Sequence, residues 1–217
     1  MTGVLNAIRL DHLIVRPRYP TLVLLLAIGV TVGVLSGSAL TGIVLVTLVT
    51  APIGGSYFAV YEANRLEYLF GTLPLKRSSA EVGIYTHTML LVAINGMLAG
   101  LLGGAIGAAE GLSVSGGAIA VTFALSFLAA CLYMALLFPV YLAVPFSKVN
   151  VLTNVPFLVI TVVVIFISKR TDWLARLAPV DALYREHPAA GTGLTVLCGL
   201  GLLALSWFVA RATARPR

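Results

Sequence analysis

Charged side chains are scarce in this sequence. Lysine, arginine, aspartate and glutamate together make up 10% of its 217 residues, whereas a soluble domain carries about 25%. Hydrophobic residues make up 59%, and the mean hydropathy is +1.03. This composition excludes an ordinary soluble domain and is typical of an integral membrane protein. We therefore predict one all-α membrane domain over residues 1–217.

Nucleotide-binding motifs are missing as well. The chain contains no GxxxxGK[ST] sequence, so it has no P-loop, and it contains no GxGxxG sequence. If a nucleotide drives this protein, another polypeptide must bind it. The sequence therefore predicts no cofactor bound by this chain.

Metal ligands and catalytic groups are few and scattered. Cys131 and Cys198 both lie within apolar runs, where a cysteine behaves as a small hydrophobe. His12, His87 and His187 have no second ligand at a spacing that would close a metal site. For His87 we expect a structural or interfacial role. No nucleophile and base can be assembled, so the sequence predicts neither a metal site nor catalysis by this chain.

The net charge of +6 raises the question of which anionic partner the basic residues contact. Basic residues beside membrane spans set topology and contact anionic lipid headgroups. The sequence offers no basic face interleaved with aromatic residues, which a nucleic-acid site would need. We expect membrane lipids as partners and no nucleic acid.

Uncharged runs divide the chain into six predicted transmembrane helices, each near the 20 residues that a bilayer requires. The breaks fall at charged or small polar stretches. The predicted spans are Thr21–Ser36, Thr41–Tyr61, Val82–Ile106, Ala118–Val144, Val151–Ser168 and Gly193–Val209. A connection over residues 169–190 would lie on the outer side, before the last span.

An even number of spans places both termini on one side of the membrane. If that side is the cytoplasm, ten of the fourteen basic residues lie inside and the other four lie together in the outer connection. Basic residues favour the cytoplasmic side. We therefore predict a multi-pass protein of the plasma membrane with both termini in the cytoplasm.

The first nineteen residues form no span in this prediction. Val4, Leu5, Ile8 and Leu13 recur at roughly helical spacing, with charged residues between them. This pattern predicts a helix over residues 1–19 that lies in the membrane interface. The alternative is a polar leader without such a helix.

Glycines recur at every fourth position in two of the predicted spans. The first ladder consists of Gly29, Gly33 and Gly37, and the second lies between residues 96 and 104. Small residues at this spacing allow helices to approach closely. The first ladder is a possible dimer interface, and ordinary packing within one chain is an equally good explanation.

A polar island separates the second and third predicted spans. Leu66, Leu69, Phe70 and Leu73 fall on one helical face, and charged residues lie off that stripe. Pro74 follows and ends the helix. We predict a cytoplasmic coupling segment over residues 62–77 that contacts a soluble partner. An amphipathic loop that rests on lipid is the alternative.

The same island resembles the permease subunits of ABC-2 type transporters. Those proteins carry an acidic helical segment between spans two and three, followed by a Leu-Pro-x-x-Arg signature. Two positions depart from the pattern: Ile84 stands where a basic residue is frequent, and Lys76 stands where a hydroxyl is usual. The residues that match are Glu62, Glu67, Leu69, Leu73, Pro74, Arg77 and Tyr85.

The resemblance implies how the protein would work. It implies a half-permease that forms a dimer of identical or different chains and docks separate ABC ATPase subunits, which bind ATP and magnesium. The cargo would be exported, and the low charge of the spans favours an amphipathic peptide, a lipid-like molecule or a hydrophobic drug. The residues that would contact the ATPase are Glu62, Arg65, Leu66, Glu67, Leu69, Phe70, Leu73, Pro74 and Arg77.

Two other function classes compete with this one. A secondary carrier driven by an ion gradient would normally place a carboxylate near the middle of the membrane. Glu81 lies at the start of the third predicted span, Glu110 lies in an outer loop, and no acidic residue lies at the centre of a predicted span. The remaining alternative is a membrane scaffold or an intramembrane enzyme.

Overall fold

A computed structural model describes the following residues of the chain: 2–36, 38–64, 77–109, 111, 115–149, 184 and 186–213. Within these residues the regular secondary structure is helical, and they contain no strand. The predicted all-α class is therefore confirmed for this part of the chain.

The main helices follow the uncharged runs of the sequence. A 3-10 turn, Arg16–Arg18, joins the first two helices, and a short helical turn over residues 146–149 follows the fifth. The helices are α1 (Thr2–Val15), α2 (Tyr19–Leu35), α3 (Ala39–Ala63), α4 (Arg77–Ala109), α5 (Gly116–Ala143) and α6 (Pro188–Thr213).

Five helical stretches among the described residues are long and apolar enough to cross a bilayer. They correspond to predicted spans one, two, three, four and six. The predicted fifth span, Val151–Ser168, lies outside the described residues, as does most of the outer connection 169–190. The chain is thus a multi-pass membrane protein, and the count of six spans stays a prediction. The five stretches are Ala7–Leu35, Leu40–Ala63, Ser78–Ala109, Gly116–Ala143 and Pro188–Ala212.

Each of the five described spanning helices begins earlier than the sequence predicts, and the difference is largest, five residues, for α4 and α6. α4 begins at Arg77 rather than Val82, because the polar residues at its start continue the helix beyond the apolar run. Its 33 residues extend about 50 Å, against a hydrocarbon core of about 30 Å, so α4 must tilt or project beyond the core. α6 begins at Pro188 rather than Gly193, and proline is well tolerated in the first helical turn.

The N-terminal residues form the predicted helix. α1 and the 3-10 turn fill residues 2–18, and α2 follows at Tyr19. The first stretch of spanning length is counted from Ala7, so it includes part of α1. The placement of residues 1–19 in the membrane interface stays a prediction.

α3 and α4 pack closely against each other in an antiparallel arrangement. A Cβ atom added to Gly54 would lie 2.1 Å from Cγ2 of Thr88, and one added to Gly96 would lie 2.7 Å from Oγ1 of Thr47. As the residue number falls along α3 it rises along α4, which defines the antiparallel register. Glycine at these positions allows the two helix axes to approach each other.

Glycines also bring α2 against α3. A Cβ atom on Gly29 would lie 2.2 Å from Cγ2 of Val46, and one on Gly42 would lie 2.7 Å from the carbonyl oxygen of Gly29. Gly33 is buried, and a Cβ atom added to it would lie 3.3–3.4 Å from the backbone N and Cα of Gly42. The first glycine ladder therefore packs against a helix of the same chain.

α6 packs against α5 and is joined to α4 by a short chain of hydrogen bonds. A Cβ atom on Gly199 would lie 3.2 Å from Sγ of Cys131. Tyr85 Oη donates to Oγ of Ser206 over 3.0 Å, and Oγ of Ser206 donates to the carbonyl oxygen of Ala135 over 2.9 Å. Ser206 therefore connects α4, α5 and α6 inside an otherwise apolar core.

Large apolar side chains also cover the outside of the helices. On α2, Val23 is 66% exposed and Leu35 is 82% exposed; on α6, Leu197 is 66% exposed and Phe208 is 60% exposed. In water such apolar faces would promote aggregation, but the lipid chains of a bilayer solvate them. The outward faces of these helices are thus suited to lipid.

Replacing Gly54 with valine tests the α3–α4 contact. The new Cβ would lie 3.0 Å even from Cβ of Thr88, so the helices must separate. We expect a loss of about 1–3 kcal/mol, measured as a lower unfolding temperature in detergent. The control is Gly201→Val on α6, where an added Cβ meets nothing within 4 Å. An unfolding temperature equal to that of the control would contradict the close contact.

Replacing Ser206 with alanine tests the hydrogen-bond chain. It leaves the buried hydroxyl of Tyr85 without its acceptor, which costs about 1–3 kcal/mol. Ser126→Ala is a matched control, since both serines are 5% exposed and, among the described residues, Ser126 bonds to its own helix at Thr122. The unfolding temperature of Ser206→Ala should be well below that of Ser126→Ala. Equal unfolding temperatures of the two variants would show that the hydrogen bonds of Ser206 contribute nothing to stability.

Candidate functional site

The predicted coupling segment joins α3 to α4. Its central part, residues 65–76, lies outside the described residues, and so do the predicted partner contacts Arg65, Leu66, Glu67, Leu69, Phe70, Leu73 and Pro74. The structure describes the two ends of the segment. Glu62 lies in the last turn of α3, and Arg77 is the first residue of α4. The candidate site is therefore defined by the elements that hold these two ends.

Glu62 is bound to the turn that follows α5. The backbone N–H of Ser147 donates to Oε2 of Glu62 over 2.9 Å, and the hydroxyl of Ser147 donates to Oε1. The positive charge of Lys148 lies nearby and adds attraction. The carboxylate thus satisfies an N–H group at the start of a helical turn, where no intrahelical acceptor exists.

Aromatic rings fill the space beside this contact. Phe58 on α3 lies 5.3 Å from Phe138 and 5.1 Å from Tyr141, both on α5, between ring centroids. Tyr85 on α4 lies 5.0 Å from Phe138, and Tyr141 lies 5.3 Å from Phe146 in the following turn. These separations suit tilted and edge-to-face pairs. The five rings form an aromatic cluster between α3, α4 and α5.

Tyr85 is one of the residues that match the family pattern, and the structure describes its contacts fully enough to show what it joins. It is buried, it stacks within the aromatic cluster, and it begins the hydrogen-bond chain to Ser206. A displacement of the first turns of α4 must therefore act on α5 and α6 at the same time. Ile84, which departs from the family pattern, is buried beside it.

α1 covers the other side of α3 and α4. Ala7, Asp11 and Val15 recur at every fourth position and are all buried, at 0%, 1% and 2% exposure. A Cβ atom on Gly83 would lie 2.8 Å from Oδ2 of Asp11. The carboxylate also faces the hydroxyl of Tyr57, and no other group among the described residues is placed to bond with either of them.

Asp11 is the buried polar residue that sequence reasoning missed. The charged residues of α1 were treated together as its polar face, although Asp11 shares a helical stripe with Ala7 and Val15. That i, i+4, i+8 spacing was the available signal. A carboxylate with so few polar neighbours is costly to bury, so the packing of α1 on α3 and α4 carries a cost at Asp11.

Two of the three histidines lie close together. The rings of His12 and His87 are edge to face at 6.1 Å between centroids, and Nδ1 of His12 pairs with the hydroxyl of Tyr19. His87 is buried on α4. Among the described residues no group of three His, Cys, Asp or Glu side chains is placed to hold a metal ion. His187 lies elsewhere, before the start of α6.

The glycines predicted as a possible dimer interface are engaged within the chain. Gly29 and Gly33 face α3, as described above, and Gly37 lies outside the described residues. In the second ladder, Gly100 faces Ile119 and Ile43. Packing inside one chain accounts for the described glycines, and the dimer stays a prediction.

Comparison with known proteins supplies the family. The model of a family described as "ABC-2 family transporter protein" matches residues 7–212, which include the coupling segment and every helix except the ends of α1 and α6. No curated protein and no solved structure matches the chain. Permeases of this family are the membrane subunits of ABC transporters and generally work with an ABC ATPase subunit. The resemblance noted in the sequence is thus confirmed, and the chain belongs to the ABC-2 family of transporter permeases.

Proposed function

We propose that this chain is the permease subunit of an ATP-driven exporter of the plasma membrane. Two such chains, identical or different, would pair above two separate ATPase subunits that bind ATP and magnesium. The coupling segment, residues 62–77, would dock on the ATPase from the cytoplasmic side. This chain would hydrolyse no ATP itself.

One observation carries this proposal. The coupling segment joins two helices, α3 and α4, that are in close antiparallel contact at Gly54–Thr88 and Gly96–Thr47. Tightly packed helices transmit a displacement, because a well-packed interface does not compress. A push on residues 65–76 would therefore move both helices as a pair rather than be absorbed between them.

The displacement has a path to the rest of the bundle. From α4 it would pass through Tyr85 to Ser206 on α6 and to the backbone of α5 at Ala135. From α3 it would pass through Phe58 to Phe138 on α5. ATP binding can shift the permease between two states only by its difference in affinity for them. A rigid attachment between the coupling segment and the helices preserves that difference.

The partner contacts follow from the helical stripe. We propose that Leu66, Leu69, Phe70 and Leu73 anchor the segment in an apolar groove of the ATPase. The charged residues Arg65 and Glu67 would set its orientation on the ATPase, and Glu62 would hold the start of the segment through its contact with Ser147. Pro74 and Arg77 would end the segment and direct the chain into α4.

The polar residues buried among the described spans point to the class of cargo. They are mainly hydroxyl and amide groups, such as Thr47, Thr50, Thr88 and Asn95. Among the described residues, Asp11, Glu81 and His87 are the buried acidic or basic side chains, and a path between spans with so few charged groups would suit an inorganic ion poorly. We propose an amphipathic or hydrophobic cargo, such as a peptide, a lipid-like molecule or a drug.

Aspartate substitutions on the stripe test the docking. Leu69→Asp or Phe70→Asp places a charge in the apolar contact, and loss of one anchor costs about 2 kcal/mol, or roughly thirtyfold in affinity. We expect the ATPase to stop co-purifying with the permease. Tyr68→Asp is the control, since it adds the same charge on the opposite helical face. ATPase recovery that is unchanged in the stripe variants would contradict the docking role.

A further inference from the structure

The contact between Glu62 and Ser147 joins two parts of the chain that are 85 residues apart. We call it the Glu62–Ser147 clasp. Both oxygens of the carboxylate take part, one with the backbone N–H and one with the hydroxyl of Ser147. Hydrogen bonds to a charged group are stronger than neutral ones, and two of them fix orientation as well as distance.

The clasp has an apolar support. Phe146 precedes Ser147 and packs on Tyr141 at 5.3 Å, and Tyr141 packs on Phe58 at 5.1 Å between centroids. The turn over residues 146–149 is thus attached to the end of α3 in two ways, directly through Glu62 and indirectly through Tyr141 of α5. Two attachments prevent the turn from rotating freely about either of them.

The clasp lies between the predicted coupling segment and the predicted fifth span. Glu62 lies in the last turn of α3, next to the part of the coupling segment that would meet the ATPase. Ser147 lies just before the predicted fifth span, Val151–Ser168. Any displacement at the end of α3 is therefore applied to the turn that leads into that span.

We propose that Glu62 is a positioning residue that transmits the movement of the coupling segment to the 146–149 turn, through the Glu62–Ser147 clasp. The inference rests on the proposed function. It assigns Glu62 to a contact within the chain and leaves the anchoring of the ATPase to the apolar stripe. A movement of the coupling segment would then reach two elements. It would reach α4 through the covalent chain at Arg77, and the predicted fifth span through Ser147.

Hydrogen exchange of the full-length chain in detergent tests whether the clasp forms. Glu62→Ala removes both acceptors, so the peptide that contains the Ser147 amide should exchange about tenfold faster or more. Glu62→Gln keeps one acceptor and should restore part of the protection. Ser56→Ala is the control, because the Ser56 hydroxyl bonds only to Ile53 of its own helix. Equal exchange in Glu62→Ala and the control would overturn the clasp.

The same measurement on the complex with its ATPase tests transmission. A non-hydrolysable ATP analogue should change exchange both in residues 65–76 and in the 146–149 turn. In Glu62→Ala the response of residues 65–76 should persist while that of the turn falls at least about threefold, and Glu62→Gln should restore part of it. A turn that still responds fully in Glu62→Ala would show that the clasp is only structural, and would overturn the inference.

The two proposals fail in different ways. If the wild-type chain retains no ATPase, the proposed function is wrong and the transmission is wrong with it, while exchange in the isolated chain still decides whether the clasp forms. If the ATPase binds equally to wild type and Glu62→Ala and only the response of the turn is lost, both proposals stand.

Discussion

The close contact between α3 and α4 is the constraint on which the other features depend. Between helices in a bilayer there is little hydrophobic driving force, so association relies on packing and a few polar contacts. Gly54 and Gly96 supply that packing by admitting Thr88 and Thr47 to within van der Waals distance of the facing backbone. Because the contacts extend over several helical turns, α3 and α4 form a stiff pair. The predicted coupling segment, residues 62–77, joins these two helices, so in the function that we propose a push on it would act on both.

The C-terminal end of α3 makes the contacts that join this pair of helices to other parts of the chain. Tyr57 lies beside Asp11 of α1, Phe58 packs on Phe138 of α5, and Glu62 binds the turn at Ser147. These residues occupy two successive turns of one helix. A chain with no recognisable nucleotide site of its own would receive work from outside at such a point. In the function that we propose, the energy would come from the ATPase partner, and the permease would contribute the packed contacts that lead away from residues 62–77.

Much of the fold could be predicted from the sequence, because hydropathy and charge are local properties. Uncharged runs located the described spans to within a few residues, and the island after Tyr61 was placed between α3 and α4. The start of α4 was placed too late, since hydropathy does not register a helix that continues through Ser78 and Glu81. Contacts between distant residues were beyond reach: periodicity showed that Gly29 needs a close neighbour but not that the neighbour is Val46. The clasp at Glu62 and the burial of Asp11 depend on the tertiary arrangement in the same way.

The account requires the coupling segment to face the cytoplasm. That requirement can be measured with a single cysteine at Asn64, which is exposed at the end of α3, in a chain whose exposed Cys198 is replaced by alanine. A cysteine at Gly116, exposed at the opposite end of the bundle, provides the reference. A membrane-impermeant maleimide should label Asn64→Cys in inside-out vesicles and leave it unlabelled in intact cells, with the reverse for Gly116→Cys. Labelling of Asn64→Cys in intact cells would place the segment outside, away from any ATPase, and would contradict the account.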